Sequence, residues 1–218
     1  PAQINGSSID VTLGYYFYQA GGSQQDELFN PFDQASTRQY FGDYLTARPW
    51  CEARRKISRP EIANIDTLAG IDDDHPVIVL HPNERILAHT HEFIGILPPG
   101  TTSMQARSTT GRIGISACYC AGWGDPGYIN RWTMEIHNLN EYSYVVLPIG
   151  YRIAQIVFSA TGPVATEYAQ ASGNYQSNIS DDLAAVKQAW RPWMMLPRAY
   201  ASPVKLPPPV TGLSDGLM

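Results

Sequence analysis

Apolar residues in this chain come in many short runs that alternate with polar ones, and 17 prolines and 18 glycines punctuate them. Alternation sends successive side chains to opposite faces, the period of a half-buried strand, and Pro and Gly stop such runs from continuing as helices. "SIDVTLGYYFY" (residues 8–18) alternates and is aromatic, and "PVIVLHPNERILAHTHEFIGILP" (76–98) reads as two strands around a His-Pro-Asn-Glu turn. "RWTMEIHNLN" and "YSYVVLPIGYRIAQIVFSA" continue the pattern. Strands at this spacing predict an all-β domain closed, or nearly closed, into a barrel or jelly roll. Helices are scarce. The best is "SDDLAAVKQAW" (180–190), with Ser180 as N-cap and acids in its first turn.

Two segments differ. Residues 19–74 mix acids, aromatics and arginines ("ARRKISRPE", "GIDDDHP") without clean periodicity, and read as an insertion or long loop with a short helix. The ending "SPVKLPPPVTGLSDGLM" is rich in Pro and Gly and is expected to be extended. The organisation predicted is a β domain over 1–180 carrying the insertion, then a C-terminal helix and Pro-rich tail over 181–218.

At 218 residues and 44% hydrophobic content, the chain can bury a core as one domain. Twenty Asp and Glu against 15 Lys and Arg give a net charge of −5, which disfavours a general binder of nucleic acid or of a membrane surface. A polyanionic ligand would have to be held by a few placed arginines. The 3 cysteines cannot all pair, which fits a reducing compartment, and no apolar run reaches membrane-spanning length. A cytoplasmic location is the expectation.

The densest chemistry runs from Arg107 to Ile136, "RSTTGRIGISACYCAGWGDPGYINRWTMEI". In "RWTMEI", Trp132, Met134 and Ile136 alternate with Arg131, Thr133 and Glu135, so Glu135 shares a strand face with a hydroxyl and an arginine. A partly desolvated carboxylate there suits general-base work; the same period also fits an ordinary outward-facing glutamate. "RSTTGR" sets two guanidiniums and three hydroxyls within six residues, a composition that suits phosphate or a solvated loop alike. "DPGY" is a turn by composition, and it leaves the Tyr128 ring free to stack.

"INGSSIDVTLG", "ARSTTGRIGI", "DPGYINRWTMEIHN", "GYRIAQIVF" and "SGNYQ" occur in an order that resembles the dCTP deaminase branch of the dUTPase-like superfamily. The resemblance spans most of residues 4–176. It implies a distorted jelly-roll subunit in a homotrimer, with active sites between subunits, that converts dCTP to dUTP and ammonia and supplies dUTP or dUMP for thymidylate synthesis. It also implies that Ser108 and Arg112 orient a water at the cytosine 4-amino position and that the Ala121 backbone lies beside that water. Glu135 would take the water's proton and later help ammonia leave. Arg107, Ser108 and Thr109 match phosphate-holding positions, Asp125 an acid near the sugar 3′-hydroxyl, and Tyr128 the aromatic under deoxyribose. Gln155 matches a glutamine at the nucleotide. Tyr168, Asn174, Tyr175 and Gln176 match a segment that closes over the triphosphate, and magnesium would ride partly hydrated on the phosphates.

The H-x-E…P-C-x-x-C signature of zinc deaminases is absent, because "CYC" is C-x-C and no His-x-Glu occurs, so no zinc is expected. "HTHE" (89–92) reads as packing or surface rather than as a metal site. The closing motif departs from the family's Gly-Lys-Tyr-Gln by carrying Asn174, for which Arg152 or Arg191 could substitute. Asn130 stands where the family has Gly, and Cys118 and Cys120 replace more usual polar positions. Asp125 also matches the position from which dUTPases activate water. A bifunctional deaminase/dUTPase or a dUTP diphosphatase therefore stays open, as does a non-catalytic trimeric nucleotide-binding regulator.

Overall fold

The computed structural model of the protein describes residues 3–21, 28–163, 175 and 182–202. The aromatic alternating run forms the long strand β1 (Ser8–Gln19). Two short strands follow, β2 (Leu45–Thr46) and β3 (Arg48–Pro49), and then β4 (Pro76–Leu80), β5 (Arg85–Thr90), β6 (Ile94–Gly95) and β7 (Gly100–Ala106). The chemistry-rich block carries β8 (Ile115–Ser116), β9 (Trp123–Gly124), β10 (Ile129–Asn130) and β11 (Thr133–Asn138). The strands β12 (Val145–Pro148) and β13 (Arg152–Ala160) complete the set. Helices are short: α1 (Gln34–Phe41), α2 (Trp50–Ala53), α3 (Pro60–Ala63), α4 (Ser108–Arg112) and α5 (Leu183–Ala189). The predicted all-β architecture is what forms. No helix among the described residues is long and apolar enough to cross a membrane.

The main sheet runs β8-β11-β5-β1-β13-β7-β9, with β2 added beside β1. Its edges, β8 and β9, are joined by only the six residues 117–122. Seven peptide steps from Ser116 to Trp123 reach at most about 25 Å. The six interstrand spacings laid flat would set those edges about 29 Å apart. The sheet therefore curls into a half-barrel, and the Met104 amide donating to the Gly122 carbonyl at 2.7 Å carries the β7–β9 pairing into the link. Inside lies one large apolar cluster that includes Leu13, Ile78, Ile86, Met134, Ile136 and Ile153.

The two strands on either side of the His-Pro-Asn-Glu turn do not pair with each other. β4 joins β12 and β3 in a second sheet, whereas β5 joins β1 and β11. The turn is a corner between sheets, made by Asn83 at φ 59° and by Glu84, whose carboxylate accepts the His81 amide at 2.7 Å. Fully buried Asn138 locks this corner. Its amide nitrogen donates to the carbonyls of Leu80, His81 and Ser143, and its oxygen accepts from Asn140. No apolar residue could satisfy those three carbonyls.

The stretch read as an insertion holds more structure than a loop with one helix. Asp33 caps α1 by accepting the Ala35 and Ser36 amides, and Trp50 and Ile57 form a small core with Val77. The C-terminal segment docks on the other side, where Trp190, Met194, Met195 and Leu196 cluster with Tyr18, Phe41 and Leu87. The cap of α5 is Asp182, which accepts the Ala184 amide at 2.8 Å, and not the predicted Ser180, which lies outside the described residues.

His89 of the "HTHE" run is a packing residue. It is 1% exposed, lies over Gly14 where any Cβ would strike its ring, and contacts the Tyr16 and Trp190 rings. Its Nε2 accepts the Tyr16 amide at 3.2 Å, so Nδ1 carries the proton and donates to the Thr90 carbonyl at 2.8 Å. A second proton would set two donors face to face. Burial, helped by the nearby Arg131 charge and opposed by the bond to the Thr90 carbonyl, pushes the pKa down to about 4 from 6.5.

Two outcomes follow. Asn138→Ala should lower unfolding free energy in urea melts by about 2–3 kcal/mol, because a fully buried amide that ties three carbonyls is lost. His89 binds fewer protons folded than unfolded between pH 6.5 and 4, so its contribution is complete above pH 6.5. It declines as pH falls and reaches a loss on the order of 3 kcal/mol near pH 4. His89→Gln should flatten the slope of stability against pH in that window.

Candidate functional site

Three clusters gather the chemistry. The first begins where β7 ends. Arg107 is extended (φ −73°, ψ 147°) and leads into the single turn of α4, which the buried Thr110 hydroxyl anchors by donating to the Ile153 carbonyl at 2.9 Å. That anchor leaves Ser108, Thr109 and Arg112 exposed. The Arg107 Nε lies 3.4 Å from one carboxylate oxygen of Asp10, and its NH1 donates to the Arg152 carbonyl at 3.1 Å. The Arg152 NH1 lies 3.2 Å from the other Asp10 oxygen. Gln155 faces Asp10 directly across β1 and β13, and its oxygen accepts the Ser8 hydroxyl at 3.3 Å.

The second cluster is built on β11, where Met134, Ile136 and Asn138 are buried and Thr133, Glu135 and His137 are half-buried, the alternation its sequence predicts. One oxygen of Glu135 accepts the backbone amides of Cys120 at 3.0 Å and Ala121 at 3.2 Å. Both amides belong to the six-residue link that closes the half-barrel. Closure of the sheet thus delivers two fixed dipoles to the carboxylate and holds it in place. Cys118, beside it, has its thiol pushed up to about 11, first by burial and then by the Glu135 charge. A thiol so held is neutral at physiological pH and a poor nucleophile.

The third cluster is the Asp-Pro-Gly-Tyr turn. Gly127 adopts φ 88°, and its amide donates to the Ile96 carbonyl at 2.9 Å. Exposed Asp125 accepts the Trp123 indole N–H at 2.9 Å, and the half-buried Tyr128 ring meets Trp132 edge-on at 5.6 Å. Buried Asn130 donates to the Tyr175 carbonyl at 3.1 Å and accepts the Arg131 amide. The Arg131 guanidinium lies over both the Phe93 and Trp190 rings, at 4.8 and 4.6 Å. Tyr175, the one described residue of the closing motif, accepts the Arg198 amide at 3.4 Å through its hydroxyl. Tyr168, Asn174 and Gln176 lie outside the described residues.

Of the site residues expected from sequence, the structure joins Glu135 to the Ala121 backbone and sets Arg107 and Gln155 around Asp10. It does not join Ser108 or Arg112 to Glu135 within one chain: among the described residues no hydrogen bond or ion pair links them. Arg191, considered as a phosphate ligand, instead turns back on the end of α5, where it donates to the carbonyls of Gln188 and Trp190. Sequence reasoning passed over Asp10. The signal was an acid in the middle of an apolar strand, which demands a cationic partner once buried.

The dCTP deaminase-like family matches residues 1–161. A relative from Methanopyrus kandleri, named "dCTP deaminase, dUMP-forming", is 41% identical over 110 residues, which cover 50% of this chain and 56% of that protein. The chain thus spans about half the length of that relative. A protein of the same name from Methanosphaera stadtmanae is 31% identical over 189 residues, covering 85% of this chain and 82% of its own. The crystal structure of 2′-deoxycytidine 5′-triphosphate deaminase from Agrobacterium tumefaciens is similar at 16% identity and TM-score 0.46, over 72% of this chain and 41% of that one. With the family matched along residues 1–161 and a relative matched nearly end to end, the chain belongs to the dCTP deaminase-like family.

Proposed function

We propose that this chain hydrolytically deaminates dCTP, with Glu135 as the base. The observation that carries the reading is the half-buried Glu135 carboxylate, held on one oxygen by the Cys120 and Ala121 amides. In this reading water adds to C4 of cytosine while its proton passes through Glu135 to N3. Glu135 then carries the proton of the new hydroxyl to the 4-amino nitrogen, and the C–N bond breaks as the C4 carbonyl forms, releasing ammonia and leaving a uracil ring. The two backbone amides keep the carboxylate aimed while the proton moves. Ser108 and Arg112, exposed on α4 and apart from Glu135 in one chain, would orient the water from a neighbouring subunit of a homotrimer. Tyr128 would lie under the deoxyribose.

Arg107 and its neighbours are cationic donors that complement phosphate oxygens rather than a metal. Magnesium therefore fits here only as the counter-ion of the triphosphate, and it would neutralise phosphate charge when bound.

A second reading concerns the product. The Methanopyrus and Methanosphaera relatives are named dUMP-forming, which favours a reaction continuing from dUTP to dUMP and pyrophosphate. Exposed Asp125, held by the Trp123 indole, would activate the water for that second hydrolysis.

With dCTP as substrate, ammonia should appear together with either dUTP, or dUMP and pyrophosphate; nucleotide bound without any ammonia would refute deamination. Glu135→Gln should cut ammonia release by about 10²–10⁴-fold, the usual range for a lost general base, while leaving the Kd for dCTP nearly unchanged. If dUMP is the wild-type product, Asp125→Asn should accumulate dUTP. Unaltered dUMP formation by that variant would remove Asp125 from the role.

A further inference from the structure

We infer that Asp10, Arg107 and Arg152 form one preassembled anion site, in which buried Asp10 positions two guanidiniums for the polyphosphate of the nucleotide. The nature of the anion rests on the reading proposed above. The Asp10 side chain is 3% exposed, whereas those of Arg107 and Arg152 are 27% and 46% exposed. A carboxylate buried this deeply needs opposite charge and hydrogen bonds around it. It has them on both oxygens: Arg107 Nε and the Asn5 amide on one, Arg152 NH1 on the other. Two guanidiniums thus meet at one carboxylate in a chain whose net charge is −5. The buried member is the anion and the half-exposed members are the cations, which is the arrangement of a site that receives negative charge from outside.

The backbone of β13 is shaped to this end. Asp10 pairs with Gln155 and Val11 with Ala154, so an unbroken register would set Thr12 opposite Ile153 and Leu13 opposite Arg152. Arg152 would then share a face with Leu13, away from Asp10. Instead the register slips by one residue between Val11 and Thr12, and Arg152 stands opposite Thr12. That bulge re-aims Arg152 to the face of Asp10 and Gln155. Arg107 arrives from the next strand over and is tied to the same place by its bond to the Arg152 carbonyl. Asp10 is thus a positioning residue. Arg152 is a binding residue for phosphate, a guanidinium fork being suited to its oxygens.

The test measures inorganic tripolyphosphate binding by calorimetry, and KM and kcat for dCTP and for deoxycytidine, in wild type, Asp10→Asn and Arg152→Gln. Each variant should weaken tripolyphosphate binding and raise KM for dCTP by about tenfold or more, as expected for one lost charge-assisted contact. The kcat for dCTP and the kinetics with deoxycytidine, which has no phosphate, should stay near wild type. Because Asp10 is buried, Arg152→Gln carries the decision if Asp10→Asn does not fold. Wild-type protein that ignores tripolyphosphate, or an Arg152→Gln variant with unchanged tripolyphosphate affinity and KM, overturns the inference. Wild-type protein that binds tripolyphosphate yet releases no ammonia from dCTP overturns the deaminase reading instead, and leaves the anion site standing.

Discussion

A link of six residues must join two strands that lie at opposite edges of a seven-strand path, and most of the structure follows from that constraint. A link so short cannot bridge a flat sheet, so the sheet curls and buries one apolar face around Leu13, Ile86, Met134 and Ile153. The same link has to satisfy its own backbone amides while crossing the mouth of the curl. Two of them, at Cys120 and Ala121, find the Glu135 carboxylate. The contact that closes the half-barrel and the contact that fixes the proposed base are therefore one and the same.

Charge is distributed with similar economy. The chain as a whole is acidic, yet both arginines at the start of the chemistry-rich block and at the start of β13 gather around one buried aspartate. Burial decides what each group can do. It leaves the Cys118 thiol protonated beside Glu135 and the His89 imidazole neutral between Tyr16 and Trp190, so neither competes for the roles proposed for Glu135 and the arginines.

Beyond its cluster with Tyr18, Phe41 and Leu87, the C-terminal segment also meets the residues that follow the Asp-Pro-Gly-Tyr turn. Arg131 lies over the Trp190 ring, and its neighbour Asn130 holds the Tyr175 carbonyl. The desolvation that lowers the Arg131 pKa comes from this packing, and the two aromatic faces partly offset its cost. Asn130 thus ties the end of the turn to Tyr175 through its amide nitrogen and holds the Arg131 amide through its oxygen.

Local pattern alone was enough to read the strand class, the alternation of β11 that half-exposes Glu135 and the turn at Asp125–Tyr128. Each depends on residues close in sequence, where period and turn chemistry act directly. The family resemblance set Glu135 and the Ala121 backbone beside one water, but their direct hydrogen bond came only with the tertiary structure. Three features needed the tertiary structure: the separation of β4 and β5 into different sheets, the ordered helices between residues 34 and 63, and the bulge that turns Arg152 toward Asp10. Asp10 shows why. Its side chain sits in an alternating strand as if it faced water, and only the pairing of β13 with β1, and of β7 beyond it, decides that it is buried and that two arginines must meet it there.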